Sequence, residues 1–345
     1  MNNLKFSVVI PTYNRCNSLR VTLDALARQD FSCDLFEVVV VSDGSTDGTN
    51  DLLNILVSRG EYAYTLRPIF QENAGPARAR NRGVEESHGS IIIFLDDDVE
   101  PSPGYLKSHA QHHARNADIA IIGPMAPDPT RRWSEPCWIG WEHAMLEKQY
   151  DNWQKGVWKG VGPNHFYTGN ASVAKRHIQA VGGFDETFKR QEDVEMAERM
   201  ARSEPPVSFA FDREAKGTHR PTRTFASWCA VPTAYGKLDA IRVRRGDVSL
   251  DLIQSNYQNR NRVTRAFTDL CVNMPGIKAP IEAVLVLLSQ TSWHLRQAKV
   301  SLALLSIIYN IRYLLAFTQE FGEGKQVLYY LRGQRLSKIV PTEQK

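Results

Sequence analysis

The chain has 345 residues, 42% of them hydrophobic and 23% charged, which is typical of a globular protein with enough apolar material for a core. Its net charge of +4 fits an anionic ligand or an anionic membrane surface but is too small to indicate a nucleic-acid partner. Five scattered cysteines without a CxxC pair argue against a disulfide framework or a zinc knuckle and favour a reducing cytosol.

Short apolar runs alternate with segments of helical spacing over the first third of the chain. Such Val/Ile-rich runs predict strands buried on both faces, and the intervening helices predict crossover connections within a parallel sheet. We therefore expect an α/β fold, with a mostly parallel sheet flanked by helices. The predicted strands are residues 6–10, 36–41, 62–70, 91–95 and 119–122, and the predicted helices are residues 18–28, 52–57, 77–86 and 107–115.

The pattern changes in the middle of the chain. Residues 124–165 are rich in proline and tryptophan and are expected to be irregular. A helix at 174–181 and a strand at 207–211 follow, and the pattern after about residue 225 is mainly helical. The predicted domains are residues 1–225, with halves at about 1–123 and 124–225, and a helical C-terminal extension at 226–345.

Three polar motifs follow predicted strands at the point where each strand ends. They are Pro11-Thr12-Tyr13-Asn14, Asp43-Gly44-Ser45 and Asp96-Asp97-Asp98. The carboxyl ends of parallel strands meet at one edge of a sheet, and ligands of such sheets bind there. We therefore expect the three motifs to share one binding site.

The acidic triplet Asp96-Asp97-Asp98 is the strongest of these signals. Adjacent carboxylates repel one another, so a chain tolerates them where a cation or several hydrogen-bond donors offset the charge. Carboxylate oxygens favour Mg²⁺ or Mn²⁺, and such an ion would neutralise a diphosphate leaving group. The alternative is a solvated acidic turn or a helix N-cap, but the position after a buried strand favours the metal.

Several further polar residues have both a functional and a structural interpretation. The Asp43 carboxylate could accept hydrogen bonds from a nucleobase edge, or the motif could be only a turn before a helix. Arg78 and Arg82 share a helix face while Arg80 points elsewhere; these arginines could bind phosphate or form a solvated basic face.

Downstream, Glu192 and Asp193 could supply a general base, or they could be acids favoured in the first turn of a helix. His219 could complete a metal site or be structural. A solvated or partly buried helix is the preferred interpretation of three more histidines, His109, His112 and His113.

Taken together, these segments resemble the inverting family 2 glycosyltransferases with the GT-A fold. The matching segments, in order, are VVIPTYNR, VVVVSDGSTDGT, NAGPARARNRG, IIIFLDDD, TGNASVAK, GGFDE and QEDVEM, and they cover residues 4–222. The resemblance implies a nucleotide-sugar half at about residues 1–123 and an acceptor half at about 124–225. Gln191 departs from the Thr that membrane polysaccharide synthases often carry there, so a processive synthase is not inferred.

The resemblance also implies roles for individual residues. The residues expected to bind the donor are Pro11, Thr12 and Tyr13 in the nucleotide pocket, Asp43 at the base, Arg80 at the nucleotide, Asp96 on the ribose side, and Asp97. Near the sugar or acceptor we expect Gly169, Asn170 and Glu192. Asp98 is the expected metal ligand, with His219 at the metal or diphosphate.

The implied reaction is glycosyl transfer from a nucleoside-diphosphate sugar, with Mn²⁺ or Mg²⁺ as cofactor. Asp193 would remove the proton of an acceptor hydroxyl, whose oxygen would then attack and invert the anomeric carbon. The alternatives are a nucleotidyltransferase that makes sugar nucleotides, a nucleotide-sugar hydrolase, or a non-catalytic sugar-nucleotide-binding protein.

The five tryptophans between Trp133 and Trp158 fit a sugar-stacking wall or the core beneath a long loop equally well.

The C-terminal third suggests either packing or membrane contact. Residues 237–265 carry seven basic and three acidic residues, and the apolar stretches 283–295 and 300–311 are each too short for a span of ~20 residues. Helices packed on the catalytic domain are the plainer interpretation. The alternative is a peripheral contact with a membrane that holds a lipid-linked acceptor. With no signal peptide expected, we predict a cytoplasmic protein, or one on the inner face of the membrane.

Overall fold

The computed structural model describes residues 6–158, 160–188, 190–322 and 324–333. The chain divides into two compact units. One comprises the chain up to Thr130 together with His143–Pro221, and the other comprises Arg131–Glu142 with the chain from Thr222 onward. The expected boundary at residue 225 falls on the first residue of a helix, Phe225–Arg245. The assignment of residues 131–142 to the second unit was not expected from the sequence.

The first unit is built on a seven-stranded sheet in the order β3-β2-β1-β4-β8-β6-β9. Every described pairing is parallel except those of β8, which runs antiparallel to both β4 and β6. The expected mostly parallel α/β sheet is therefore confirmed. Its strands are β1 (Phe6–Thr12), β2 (Phe36–Asp43), β3 (Thr65–Gln71), β4 (Ile91–Leu95), β6 (Ile119–Ile122), β8 (Asn170–Ala174) and β9 (Ser208–Phe211).

A second, three-stranded sheet in the same unit has the order β5-β10-β7. Its strands are β5 (Val99–Pro101), β7 (Met125–Pro127) and β10 (Gly217–His219). β5 starts directly after the acidic triplet, and its antiparallel pairing with β10 sets His219 opposite Val99. This register brings His219 beside the triplet from more than 100 residues downstream.

Helices cover both faces of the large sheet. One of them shows that an expectation from the sequence was wrong. The segment expected to be irregular contains an 18-residue helix, α5. Pro136, directly before α5, was a helix-start signal, but the surrounding tryptophans and prolines masked it. The helices of this part of the chain are α1 (Cys16–Leu26), α2 (Thr49–Ser58), α3 (Pro76–Glu86), α4 (Tyr105–Arg115), α5 (Cys137–Gln154), α6 (Lys175–Ala180) and α7 (Glu192–Ala201).

The second unit is helical, as expected, and packs around its longest helix. Gly236 of α8 allows a close approach to α12, since a Cβ atom there would lie 2.1 Å from the Tyr313 carbonyl oxygen. Trp133, Trp138 and Trp141 pack in or against the core of this unit, which favours the core interpretation for these three. Its helices are α8 (Phe225–Arg245), α9 (Leu250–Gln258), α10 (Arg262–Asn273), α11 (Lys278–His294), α12 (Ala298–Phe321) and α13 (Gly324–Leu331).

Among the described residues, only α12 is by itself long and apolar enough to cross a membrane, and half of its most apolar window is buried within the protein. α10 and the segment Pro275–His294 pass the same test together, but the chain bends by 117° between them. Burial of Leu305, Ile308 and Ile311 is what a core helix requires, so length and composition alone do not make α12 a span.

Candidate functional site

The acidic triplet lies at the carboxyl end of β4, as predicted, and its three side chains point to different partners. Asp96 is the most exposed of the three, and its backbone N–H donates to the Gly169 carbonyl oxygen at 3.2 Å. A Cβ atom at Gly169 would lie 2.6 Å from Met125 Sδ and 2.9 Å from Asp96 Oδ2, so a larger residue there would displace these two side chains. Gly169 therefore supports the triplet through its backbone.

Asp98 faces two cationic or cation-forming groups. Arg15 Nη1 lies 2.7 Å from its Oδ2 atom, and His219 Nε2 lies 3.5 Å from its Oδ1 atom. Burial opposes ionisation, but His219 and Arg15 outweigh it and hold the pKa of Asp98 at about 2. Asp98 is thus a buried, ionised carboxylate beside an imidazole, and both predicted metal ligands meet here.

Arg15 is a site residue that the sequence interpretation missed. It ends the PTYNR segment after β1, so its position at the carboxyl edge of the sheet was the available signal. Its ion pair with Asp98 spans 83 positions of the chain and follows from the adjacency of β1 and β4.

Asp97 points into the unit, where Thr12 Oγ1 donates to its Oδ2 atom at 2.6 Å. Burial, and then the neighbouring charge of Asp98, raise the pKa of Asp97 to about 7. Both Asp97 and Thr12 are buried. Their geometry favours a supporting role at the ends of β1 and β4 over the direct donor contact predicted for them. Pro11 is partly exposed and Tyr13 is half exposed, so these two remain available to a ligand.

Asp43 organises the loop that leads into α3. Its Oδ1 atom accepts from Gln71 Nε2 at 2.7 Å and from the Ala74 N–H at 2.9 Å, while its Oδ2 atom accepts from the Gly75 N–H at 2.9 Å. The carboxylate is buried, and each oxygen has two lone pairs. Oδ2 therefore keeps acceptor capacity for the predicted nucleobase contact.

Arg80 joins the two acidic motifs of the site. Its Nη2 atom lies 3.1 Å from Asp96 Oδ1 and its Nη1 atom lies 2.9 Å from Glu192 Oε1. Arg80 is buried while Arg78 and Arg82 are exposed, which agrees with the predicted division of the helix faces. The guanidinium group is thus committed to carboxylates, and the predicted contact with the nucleotide is not among its described contacts.

We expect Arg80→Met to lower the free energy of unfolding by about 3 kcal/mol, because it leaves Glu192 buried without its partner. Equilibrium urea unfolding would measure the change. Arg82→Met is the matched control: Arg82 forms ion pairs only at the surface, and its loss should cost less than about 1 kcal/mol. Equal effects of the two substitutions would contradict the structural importance of the Arg80 bridge.

Asp193 lies beside Glu192 at the start of α7 and is only partly exposed. Its Oδ1 atom accepts from the Val194 N–H at 2.9 Å, and its Oδ2 atom lies 3.5 Å from the Thr168 N–H. Burial, and then the Glu192 charge, raise the pKa of Asp193 to about 6. A carboxylate with this pKa is ionised near neutral pH yet basic enough to accept a proton.

Asn170 lies on the same edge, but its side chain is held by the fold. Its Nδ2 atom donates to the carbonyl oxygens of Pro124 at 3.0 Å and of Ala215 at 2.8 Å, and the residue is 1% exposed. Contact with a sugar, as predicted, would require one of these bonds to break. The geometry instead gives Asn170 the role of tying β8 to the segments before β7 and β10.

The histidines of α4 support Asn170 through a directional hydrogen-bond chain. Because both amide hydrogens of Asn170 are donated, its Oδ1 atom must accept from His109 Nε2 at 3.3 Å. Burial lowers the pKa of His109 to about 3, so its other nitrogen accepts from Ser172 Oγ at 2.8 Å. Ser172 in turn accepts from His113 Nε2 at 2.7 Å. These contacts support the structural interpretation of His109 and His113, while His112 of the same helix pairs with Asp212 at 2.9 Å.

A polar cleft of about 1020 Å³ lies beside the Asp43 loop rather than over the acidic triplet. Phe70, Asn73, Arg78 and Gly183 are among its lining residues. Gln71 and Ala74 also line the cleft, and both donate hydrogen bonds to Asp43. The cleft therefore borders the predicted donor site without containing its acidic residues.

Few side chains at the candidate site could bind a metal ion. Within the described parts of the chain, no group of three or more His, Cys, Asp or Glu side chains is arranged to hold a metal ion. Asp98 and His219 nevertheless form an adjacent oxygen and nitrogen pair. Ions such as Mg²⁺ are commonly bound by one or two carboxylates, with substrate phosphates and water completing the shell. Asp98 fits that pattern as the carboxylate ligand, and His219 would add a nitrogen ligand beside it.

The fold and these residues define the class of the first unit as a GT-A type α/β unit. Residues 7–176 match the family model described as "Glycosyl transferase family 2", and this part of the chain belongs to that family. The match contains the acidic triplet and Asn170, whereas Asp193 and His219 lie beyond it.

Two curated relatives illustrate the range of similar proteins. Validoxylamine A glucosyltransferase of Streptomyces hygroscopicus subsp. jinggangensis is 32% identical over 62% of this chain and 55% of its own length. Poly(ribitol-phosphate) beta-N-acetylglucosaminyltransferase TarS of Staphylococcus aureus is 34% identical over 34% of this chain and 21% of its own length. The chain thus spans about half the length of the first of these relatives and less of the second.

Solved structures share the fold over nearly the whole chain. S. aureus TarS 1-349 in complex with UDP-GlcNAc has a TM-score of 0.56 and 19% identity, covering 96% of this chain and 93% of that one. The mannosyltransferase PcManGT of Pyrobaculum calidifontis, in complex with GDP-Man and Mn²⁺, has a TM-score of 0.52 and 17% identity, covering 95% and 79%. At these identities the likeness establishes the fold.

Proposed function

We propose that the protein transfers a sugar from a nucleoside-diphosphate sugar to an acceptor hydroxyl, with inversion at the anomeric carbon. The observation that carries this proposal is the Arg80 bridge. It links the strand-end triplet to the helix that bears Asp193, so that a carboxylate of raised pKa lies in the same site as the acidic motif. A protein that only bound the nucleotide would have no need of such a base.

Asp193 is the proposed general base. It accepts the acceptor hydroxyl proton as the new glycosidic bond forms and the bond to the diphosphate breaks. The negative charge of Glu192 favours proton uptake, and Arg80 keeps Glu192 in place. The backbone N–H groups of Val194 and Thr168 orient the Asp193 carboxylate.

The donor site is proposed at the neighbouring strand ends. Asp43 recognises the base edge through its remaining acceptor capacity, and Pro11 and Tyr13 present the exposed surface of the nucleotide pocket. The structural relatives were solved with UDP-GlcNAc and with GDP-Man, which supports a nucleoside-diphosphate sugar as donor without selecting its base.

Metal dependence is part of the proposal. Asp98 and His219 would hold Mn²⁺ or Mg²⁺, which would supply positive charge to the departing nucleoside diphosphate. Arg15, already paired with Asp98, adds a fixed cation beside the same carboxylate.

The acceptor is proposed to be a glycan, a glycolipid or another glycoconjugate. The enzyme is proposed to be cytoplasmic, with a form bound peripherally to the inner face of the membrane. The named relatives are by description a glucosyltransferase and a beta-N-acetylglucosaminyltransferase with different acceptors, and this chain spans only part of their length, so the acceptor is inferred only as a class.

The test is a donor panel. The purified chain is incubated with Mn²⁺ and UDP-, GDP- and dTDP-sugars, and nucleoside diphosphate release is measured with and without candidate acceptors. We expect release from one donor class, accelerated by an acceptor. Formation of nucleoside triphosphate from pyrophosphate would instead indicate a nucleotidyltransferase, and donor binding without any turnover would indicate a binding protein.

A further inference from the structure

We infer that the outward surface of α11 docks on an anionic lipid bilayer. This apolar face comprises Val284, Leu287 and Leu288 within the helix and Leu295 directly after its end, and these residues are 57%, 63%, 48% and 65% exposed. At 100° per residue, their spacing confines them to an arc of about 100° on one side of the helix. The inference assigns a surface to the peripheral membrane form of the proposed function, and it does not depend on the proposed transfer reaction, because none of these residues belongs to the candidate site.

The opposite side of α11 already fills the core. Leu285, Ser289 and Trp293 are 4%, 0% and 3% exposed, and they lie on the side of the helix away from the apolar face. α11 therefore carries large apolar residues on both sides, with the exposed Thr291 among those of the outward side and the buried Ser289 among those of the inner side. A surface helix of a water-soluble unit carries charged or polar residues on its outer side, whereas a helix that is apolar all round is covered by protein or by lipid.

The charged residues that follow the apolar face along the chain have one sign. The exposed Arg296 and Lys299 come directly after the end of α11, whereas Lys278, at its start, is partly buried and lies on the core-facing side, about 120° from Val284. Glu282 is the only acidic residue from position 270 to 300. It is buried and accepts a hydrogen bond from Arg312 at 2.7 Å, so it does not oppose the cations.

This combination favours lipid over a second copy of the chain. A symmetric dimer would bury the same patch against itself, and residues 270–300 offer no exposed acidic partner for Arg296 and Lys299. Anionic headgroups would attract these two cations while the acyl boundary accepts the leucines. α11 has 17 residues, and the chain bends by 117° before it, which suits a helix lying in the interface rather than spanning the bilayer.

Co-sedimentation of the full chain with vesicles tests the inference. We expect binding to phosphatidylcholine vesicles that contain phosphatidylglycerol, little binding to phosphatidylcholine alone, and weakening with added NaCl. Leu287→Gln with Leu288→Gln should reduce partitioning more than about tenfold. Arg296→Gln with Lys299→Gln should reduce it by about fivefold per cation.

The matched control is Ile55→Gln with Val57→Gln on α2, where both residues are 46% exposed. This variant should bind vesicles like wild type, and all variants should keep wild-type nucleoside diphosphate release. Failure of the wild-type protein to sediment with anionic vesicles, or unchanged binding by the double-leucine variant, would overturn the inference. So would a dimer in sedimentation velocity that Leu287→Gln with Leu288→Gln dissociates, because it would assign the face to a second copy.

Discussion

Asp193→Asn should lower kcat by about 10²–10⁴-fold, the usual contribution of a general base, while the dissociation constant for the donor stays within about twofold. Asparagine keeps the size of the side chain and its acceptor for the Val194 N–H, but it cannot accept a proton at neutral pH. Stopped-assay kinetics would measure kcat, and calorimetry with the donor would measure binding.

Glu195→Gln is the matched control for this substitution. Glu195 lies on the same helix, but its carboxylate pairs with Arg199 at 2.6 Å. It should leave kcat nearly unchanged. The wild-type kcat/KM should rise with pH through about 6, because the raised pKa of Asp193 keeps the base protonated below that value, and this limb should be missing in Asp193→Asn. Full activity of Asp193→Asn would rule out the assignment.

Chelation of divalent ions should abolish transfer, and Mn²⁺ should restore it more fully than Mg²⁺, because one of the two protein ligands is an imidazole. Asp98→Asn should lower kcat by at least about 100-fold, since it removes the anionic ligand beside the diphosphate. The electron paramagnetic resonance signal of free Mn²⁺, measured with donor present, would report binding independently of turnover.

His219→Asn provides the comparison for the metal site. It should weaken Mn²⁺ binding and narrow the difference between Mn²⁺ and Mg²⁺, because the nitrogen ligand is lost while Asp98 remains. Transfer that is unaffected by chelation, or Mn²⁺ binding that is unaffected by both substitutions, would contradict a metal site at this pair.

The strands could be predicted from the sequence where burial on both faces of the sheet restricts them to apolar residues. Every residue of β2 is buried, and β4 and β6 begin and end at the predicted residues. β3 starts later than expected, at Thr65, and Tyr62 and Tyr64 stack on each other just before the strand. Local composition also failed to predict the helix α5. Its aromatic residues belong to the cores of two different units, so they do not form a single apolar stripe along the helix.

The site was predictable only in part. The triplet and Asp43 follow strands, so their place on one edge follows from topology. The pairing of Arg80 with Glu192 joins residues 112 positions apart, on two helices that contribute to the same core cluster, and no local pattern records it. The same holds for Arg15 with Asp98. Asn170 shows the converse limit: its motif was recognised, but its side chain proved to be engaged with backbone carbonyl groups.

The most direct test of the proposed activity is proton NMR of the anomeric signals during a reaction with the donor and acceptor identified by the donor panel. We predict a new glycoside whose anomeric configuration is opposite to that of the donor sugar, formed in equal amount to the nucleoside diphosphate and absent with Asp193→Asn. A product with retained configuration, or free sugar released at the same rate with and without acceptor, would contradict inverting transfer by this site.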